Sequence, residues 1–242
     1  MATETASGAE RSEVLLGVPQ LTLVALFVTA LVTAQVTASK VVAIGLPVSL
    51  PVTGDLVTVP AAVFAYAVTF FASDCYTELY GKRSAQALVN VAFLMNFVLL
   101  ALVWLAIWAP IFEHSPVAQD PFAETLSAST GVVVGSLLAY VVSQNWDVVV
   151  FHRIREATDG EALWLRNVAS TATSQFIDTV LFITIAFFIF QGLALEDVLA
   201  LIVGQYAFKL GLVVLDTPFV YLVVGLVRSR WAGNTPPVEG AR

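Results

Sequence analysis

Charge is what this sequence has least of. Only 12% of its 242 residues are charged, against 58% hydrophobic, and mean hydropathy is +0.86. Soluble domains carry about 25% charged residues. The chain has too few polar side chains to cover a globule in water, which argues against a soluble enzyme. Basic residues are scarcer than acidic ones: 11 Lys and Arg stand against 18 Asp and Glu, a net charge of −7. That balance argues against a nucleic-acid binder, which needs a basic face. The single cysteine, Cys75, rules out an internal disulfide and a cysteine metal cluster. Neither HExxH nor a P-loop occurs, so a zinc hydrolase and an ATPase have no footing. Signal-peptide character is also lacking. The first 18 residues are polar, with Glu4, Glu10, Arg11 and Glu13, and the apolar run behind them is too long for a signal core.

What is present is long apolar runs. Six occur, at 20–45, 56–73, 85–109, 126–150, 167–191 and 198–227. Each can cross about 30 Å of hydrocarbon at about 1.5 Å per residue, the second only barely. The expected fold is therefore all-α: a polytopic integral membrane protein built as a six-transmembrane-helix bundle. The membrane domain would cover 19–228, between an N-terminal tail at 1–18 and a disordered tail at 229–242. Pro218 lies in the second half of the last run, where tilt or a kink is expected.

Orientation follows from the basic residues. Arg11, Lys82, Arg83, Arg153, Arg155, Arg166, Arg228, Arg230 and Arg242 all fall on one side of the expected membrane. The alternate loops carry Asp55, Glu113, Asp120, Glu124, Glu196 and Asp197 and no Lys or Arg. The positive-inside rule then places both termini in the cytoplasm.

The remaining basic residues, Lys40 and Lys209, lie inside the expected spans. Asp178 falls near the middle of the fifth, Asp216 lies in the sixth, and Asp74, Glu78 and Asp147 lie toward span ends. A charge at the bilayer centre costs at least about 2.5–3.5 kcal/mol, so it is normally paired, neutralised or set in a wet cavity. Five acids and two lysines within or at the ends of the spans point to a polar cavity.

A local pattern occurs twice. Ser143-Gln144-Asn145-Trp146-Asp147 and Ser174-Gln175-Phe176-Ile177-Asp178 both read Ser-Gln-x-x-Asp. On a helix the three polar side chains share one face. A carboxylate can accept two adjacent N–H donors, and a carboxamide supplies one donor and one acceptor. That combination suits a planar heterocycle such as guanine, with Trp146, Phe176, Tyr66, Tyr76 or Phe208 to stack on it. Plainer readings stand beside this one. Ser and Gln in membrane helices commonly bond a neighbouring helix. Asp74, Glu78, Lys82 and Arg83 would make an ordinary interfacial cluster, and Lys209 could pair structurally with Asp178 or Asp216.

Along these residues the chain resembles the queuosine precursor transporter family, six-span proteins also called vitamin-uptake-transporter-like. The resemblance runs through Thr37-Ala38-Ser39-Lys40, Asp74-Cys75-Tyr76-Thr77-Glu78-Leu79-Tyr80-Gly81-Lys82, and Ser143-Gln144 with Asp147. It continues in Trp164-Leu165-Arg166-Asn167-Val168-Ala169-Ser170-Thr171, Ser174-Gln175 with Asp178-Thr179 and Phe182, and Lys209 with Asp216-Thr217-Pro218. Gln35 stands where the family pattern has Asn, which keeps an amide.

The resemblance implies import of 7-deazaguanines, such as 7-cyano-7-deazaguanine, for salvage into queuosine or archaeosine in tRNA. The implied protein is a multi-pass permease of the cell membrane, not an enzyme, with no cofactor. Its partners would be the small-molecule substrate and the lipid bilayer, with a homo-oligomer left open. On this expectation Gln35, Lys40, Asp74, Glu78, Gln144, Asp147, Gln175, Asp178, Lys209 and Asp216 form the substrate site. Asp178 and Gln175 would read the Watson–Crick edge, Lys40 and Gln35 would donate to the carbonyl or nitrile, and Asp74 and Glu78 would gate the cytoplasmic exit. Two alternatives are a binding subunit energised by a separate partner and a membrane-embedded enzyme. The second is disfavoured, because His114 and His152 flank opposite sides of the membrane and no histidine accompanies Ser-Gln-x-x-Asp.

Overall fold

The computed structural model describes residues 17–50, 54–158 and 163–231. The expected tails at 1–18 and 229–242 fall largely outside these residues, as do the side chains of Trp164, Leu165, Arg166 and Asn167 within the family-like stretch.

Helix α1 (Val18–Thr37) opens with Pro19 in its first turn, where a missing N–H costs nothing. It stops well short of the expected residue 45. A turn at 38–40 leads into strand β1 (Val41–Leu50), which pairs antiparallel with β2 (Gly54–Pro60). The all-α expectation is thereby corrected. Apolar content cannot separate a short buried strand from a helix. Here Val41-Val42 and Val57-Thr58-Val59 supply β-branched side chains that favour the extended chain. The register runs from Val41 opposite Pro60 to Gly45 opposite Leu56, then shifts before Leu50, across the segment that holds Pro47. Proline has no N–H to give the ladder. Across the base of the hairpin, the Ala61 N–H donates to the Lys40 carbonyl at 2.7 Å.

The hairpin rests on the last helix. A Cβ on Gly204 would lie 2.2 Å from the Thr58 carbonyl oxygen, so this approach of strand to helix requires glycine.

Helix α2 (Val63–Tyr80) replaces the expected second span at 56–73, and α3 (Lys82–Trp108) follows after Gly81 alone. Helix α4 (Gln119–Ala157) has 39 residues and α6 (Leu195–Trp231) has 37, the latter helical through Pro218 and three residues past the expected end of the membrane domain. Helix α5 (Leu163–Ile183) continues as a π-helical segment, Thr184–Ile189. The last four expected runs match these helices, two of them running one or two residues past the helix end.

Helices α4 and α5 form the closest pair. Gly131, Gly135 and Ala139 repeat every fourth residue on α4, so one face carries almost no side chain. A Cβ on Gly135 would already sit 3.2 Å from the Phe182 carbonyl and 3.3 Å from the Ala186 amide.

Two large apolar cores result, beside a small cluster of Val57, Val59 and Val63 where the hairpin meets α2. One joins Leu23, Phe27, Cys75, Leu79, Leu88 and Val220 across α1, α2, α3 and α6. The other joins Ala34, Val132, Ala139, Phe182, Phe187 and Leu201 across α1, α4, α5 and α6. Large apolar side chains such as Leu94, Leu102, Leu105, Leu138 and Leu222 point outward, an arrangement that suits a lipid surround and not water. Five helices among the described residues are long and apolar enough to cross a membrane: α1, α3, α4, α5 with its extension, and α6. Helix α2 falls short, because Asp74 and Glu78 sit within its 18 residues.

Candidate functional site

The two Ser-Gln-x-x-Asp segments meet where α4 and α5 cross. Each serine contacts the other segment's aspartate: Ser143 Oγ lies 3.4 Å from Asp178 Oδ1, and Ser174 Oγ lies 3.3 Å from Asp147 Oδ1. Antiparallel helices carrying the same motif make this reciprocity natural. The second oxygen of Asp178 accepts from Lys209 of α6 at 2.7 Å, with side-chain exposures of 26% and 14%. Two opposite charges inside an apolar bundle thus neutralise each other.

This pair borders a chamber of about 200 Å³. Gln144, Gln175, Ser136, Ser143 and Gln205 give it hydrogen-bonding groups, while Tyr66, Phe70, Phe93, Tyr140 and Phe182 supply aromatic walls. Tyr66 Oη lies 3.4 Å from Ser136 Oγ, and Gln86 donates to Tyr140 Oη at 2.6 Å. The volume suits one flat heterocycle held between aromatic faces, with polar groups at its edges.

Toward the hairpin the chamber narrows to a space of about 10 Å³ under Pro60, Val63 and Phe208, room for about one water. On another side lies a cavity of about 700 Å³ lined by Asp74, Thr171, Gln175, Lys209 and Asp216. Phe70, Gln175 and Lys209 border both, so these three stand between chamber and cavity.

The expected site residues therefore separate into groups. Gln144, Gln175, Asp178 and Lys209 line the chamber. Asp74 and Asp216 line the larger cavity, and Asp216 Oδ2 is buried without a hydrogen-bond partner. Asp147 contacts Ser174 behind the chamber wall. Glu78 is exposed and faces Arg228, whose Nη2 lies 3.9 Å from its carboxylate and 2.9 Å from its carbonyl.

Two expected site residues lie apart from the chamber. Lys40 is not inside a span: the chain leaves α1 at Thr37, and Lys40 sits exposed in the turn before β1. Gln35 is fully buried beside Ala34 and Ala38, with neither amide atom bonded, but it borders none of these three cavities.

Of the expected stacking residues, Tyr66 lines the chamber and Phe208 its constriction. Tyr76 instead accepts from Gln20 at 3.0 Å, Trp146 donates to Thr173 at 3.2 Å, and Phe176 packs edge-on against Tyr206. Gln205, Tyr140 and Ser136 went unmarked. For Gln205 a signal existed: it lies four residues before Lys209, on the same face of an otherwise apolar helix.

The sequence model of a family described as "Putative vitamin uptake transporter" matches residues 60–223. The chain is 34% identical over 160 residues to a "Probable queuosine precursor transporter" of Bacillus subtilis (strain 168), covering 64% of this chain and 67% of that one. It is 27% identical over 128 residues to a "Queuosine precursor transporter" of Escherichia coli (strain K12), covering 51% and 53%. The chain thus spans about half the length of the second relative. No solved structure matches it.

Proposed function

This chain belongs to the vitamin uptake transporter family, and from that premise we propose that it is a cell-membrane permease importing a queuosine precursor. The substrate class is the 7-substituted 7-deazaguanines, such as 7-cyano-7-deazaguanine. The observation that carries this reading is the Asp178–Lys209 pair at the edge of an aromatic chamber sized for one base. A guanine-type edge presents two neighbouring N–H donors beside a carbonyl acceptor. Asp178 accepts from the donors, and Lys209 donates to the carbonyl. The base thereby replaces its lost water with charge-assisted bonds. Gln144 and Gln175 complete the hydrogen bonding, and Tyr66, Phe70 and Phe182 enclose the ring.

In this reading α2 is the sixth crossing. Its two acids are tolerated because Asp74 faces the larger cavity and Glu78 lies at the helix end beside Arg228. The basic loops then place both termini in the cytoplasm. The larger cavity, with Asp74 and Asp216, becomes the inner vestibule, and the hairpin closes the outer side.

The test is uptake of labelled 7-cyano-7-deazaguanine by the purified chain in liposomes, with and without a proton gradient. Uptake by the chain alone supports a permease. A chain that binds the base but does not move it under either condition would be a subunit needing an energising partner, and chemical conversion of the base would mark an enzyme.

A further inference from the structure

Gln205 has a burial and a position that the ion pair does not account for. It lies on α6 one turn before Lys209, displaced about 6 Å along the axis toward the hairpin. The residue is 6% exposed and borders both the chamber and its constriction. Its Oε1 is buried without a hydrogen-bond partner. Helix α6 satisfies its own backbone, so an apolar side chain would serve packing at this place better. A buried acceptor without a donor is costly and calls for a reason. A half-turn of the amide about its last torsion exchanges Oε1 and Nε2, so Gln205 can offer either a donor or an acceptor to a ligand.

The order of groups around the chamber suggests what that ligand atom is. The step rests on the guanine-type reading above. Around a 7-deazaguanine the sequence is the 2-amino group, N1–H, the O6 carbonyl and then the substituent on C7. With the two N–H donors on Asp178 and O6 on Lys209, the C7 substituent comes next. The next polar group beyond Lys209 along α6, toward the hairpin, is Gln205. We propose that Gln205 reads the C7 substituent, donating to a nitrile and, with its amide turned, accepting from an aminomethyl group. Gln205 is thus a specificity-determining residue, separating substituted 7-deazaguanines from the bare base.

The test is calorimetric binding of 7-cyano-7-deazaguanine, its aminomethyl counterpart and unsubstituted 7-deazaguanine to the purified chain. The wild type is expected to favour the cyano base over the unsubstituted base by about tenfold, the worth of one buried neutral hydrogen bond. In Gln205→Leu that preference disappears, because the cyano base weakens about tenfold more than the unsubstituted base does. Gln205→Met keeps the length without the amide and gives the same result if leucine unfolds the chain. Gln205→Glu shifts preference toward the cationic aminomethyl base. Equal weakening of cyano and unsubstituted bases in the leucine and methionine variants would show a structural role and overturn the proposal, as would no change in either. If the wild type bound none of the three bases, the guanine-type reading itself would fall, and this assignment with it.

Discussion

Lys209 Nζ lies 2.7 Å from Asp178 Oδ2, joining α6 to α5 by a single charge pair inside a largely apolar bundle. Neither charge could be kept alone at this depth without a large penalty, so each residue is the condition for the other. The same pair presents a carboxylate and an ammonium side by side, which on the proposed reading take the two N–H donors and the carbonyl of a guanine edge.

That mutual dependence is measurable. Lys209→Met strands the carboxylate and is expected to destabilise the chain by about 3 kcal/mol, at the low end for breaking a buried pair because Asp178 keeps 26% side-chain exposure. Adding Asp178→Asn to Lys209→Met removes the stranded charge and restores most of that stability, without restoring binding. Thermal unfolding in detergent, run beside ligand binding on the two variants, reports both halves.

The crossed serines are expected to differ in effect. Ser143 contacts Asp178 and lines the chamber, whereas Ser174 contacts Asp147 behind it. Ser143→Ala should weaken 7-cyano-7-deazaguanine binding by about three- to tenfold, the range for one modest hydrogen bond. Ser174→Ala should leave the dissociation constant unchanged. Titration of both variants with the base checks the contrast, and equal effects would place Asp147 in the site.

Glycine contacts give a packing prediction. Gly204→Ala puts a methyl carbon 2.2 Å from the Thr58 carbonyl, a backbone atom that no rotamer change can move. Gly135→Leu forces side-chain bulk between α4 and the backbone of α5. Each should cost about 1–3 kcal/mol, as overpacking does, seen as a lower Tm. Substitution at Gly225, which has open space around it, should be close to neutral.

Much of this was legible in sequence, for identifiable reasons. Runs at 85–109 through 198–227 match α3 to α6 to within two residues at their C-terminal ends, because lipid-length apolar stretches leave few alternatives. Asp178 and Lys209 stood out because charge is rare at such depth. Residues 41–45 and 56–60 read as span ends because valine and isoleucine raise hydropathy equally in strands and helices, and only β-branching and the nearby prolines distinguish them. Lys40 loses its expected depth for the same reason, since α1 ends at Thr37. Gln205 was passed over as uncharged, although its spacing to Lys209 placed it on the same face. Tyr140 and Ser136 depended on how α4 is rotated against its neighbours, which composition does not determine.

Lys40→Ala follows from the corrected position. The side chain is exposed in the turn ahead of β1, outside the chamber lining. Binding of 7-cyano-7-deazaguanine should be unaltered within twofold, and a loss of tenfold or more would return Lys40 to the site.

The central claim is that Asp178 accepts the N–H edge of the base. Its most direct test is equilibrium binding of 7-cyano-7-deazaguanine to the purified wild type and Asp178→Asn, with thermal unfolding to establish that the variant is folded. The amide offers one acceptor where the carboxylate offers two and removes the charge assistance, so affinity should fall by about a hundredfold or more. Unchanged affinity in a folded Asp178→Asn would contradict the assignment.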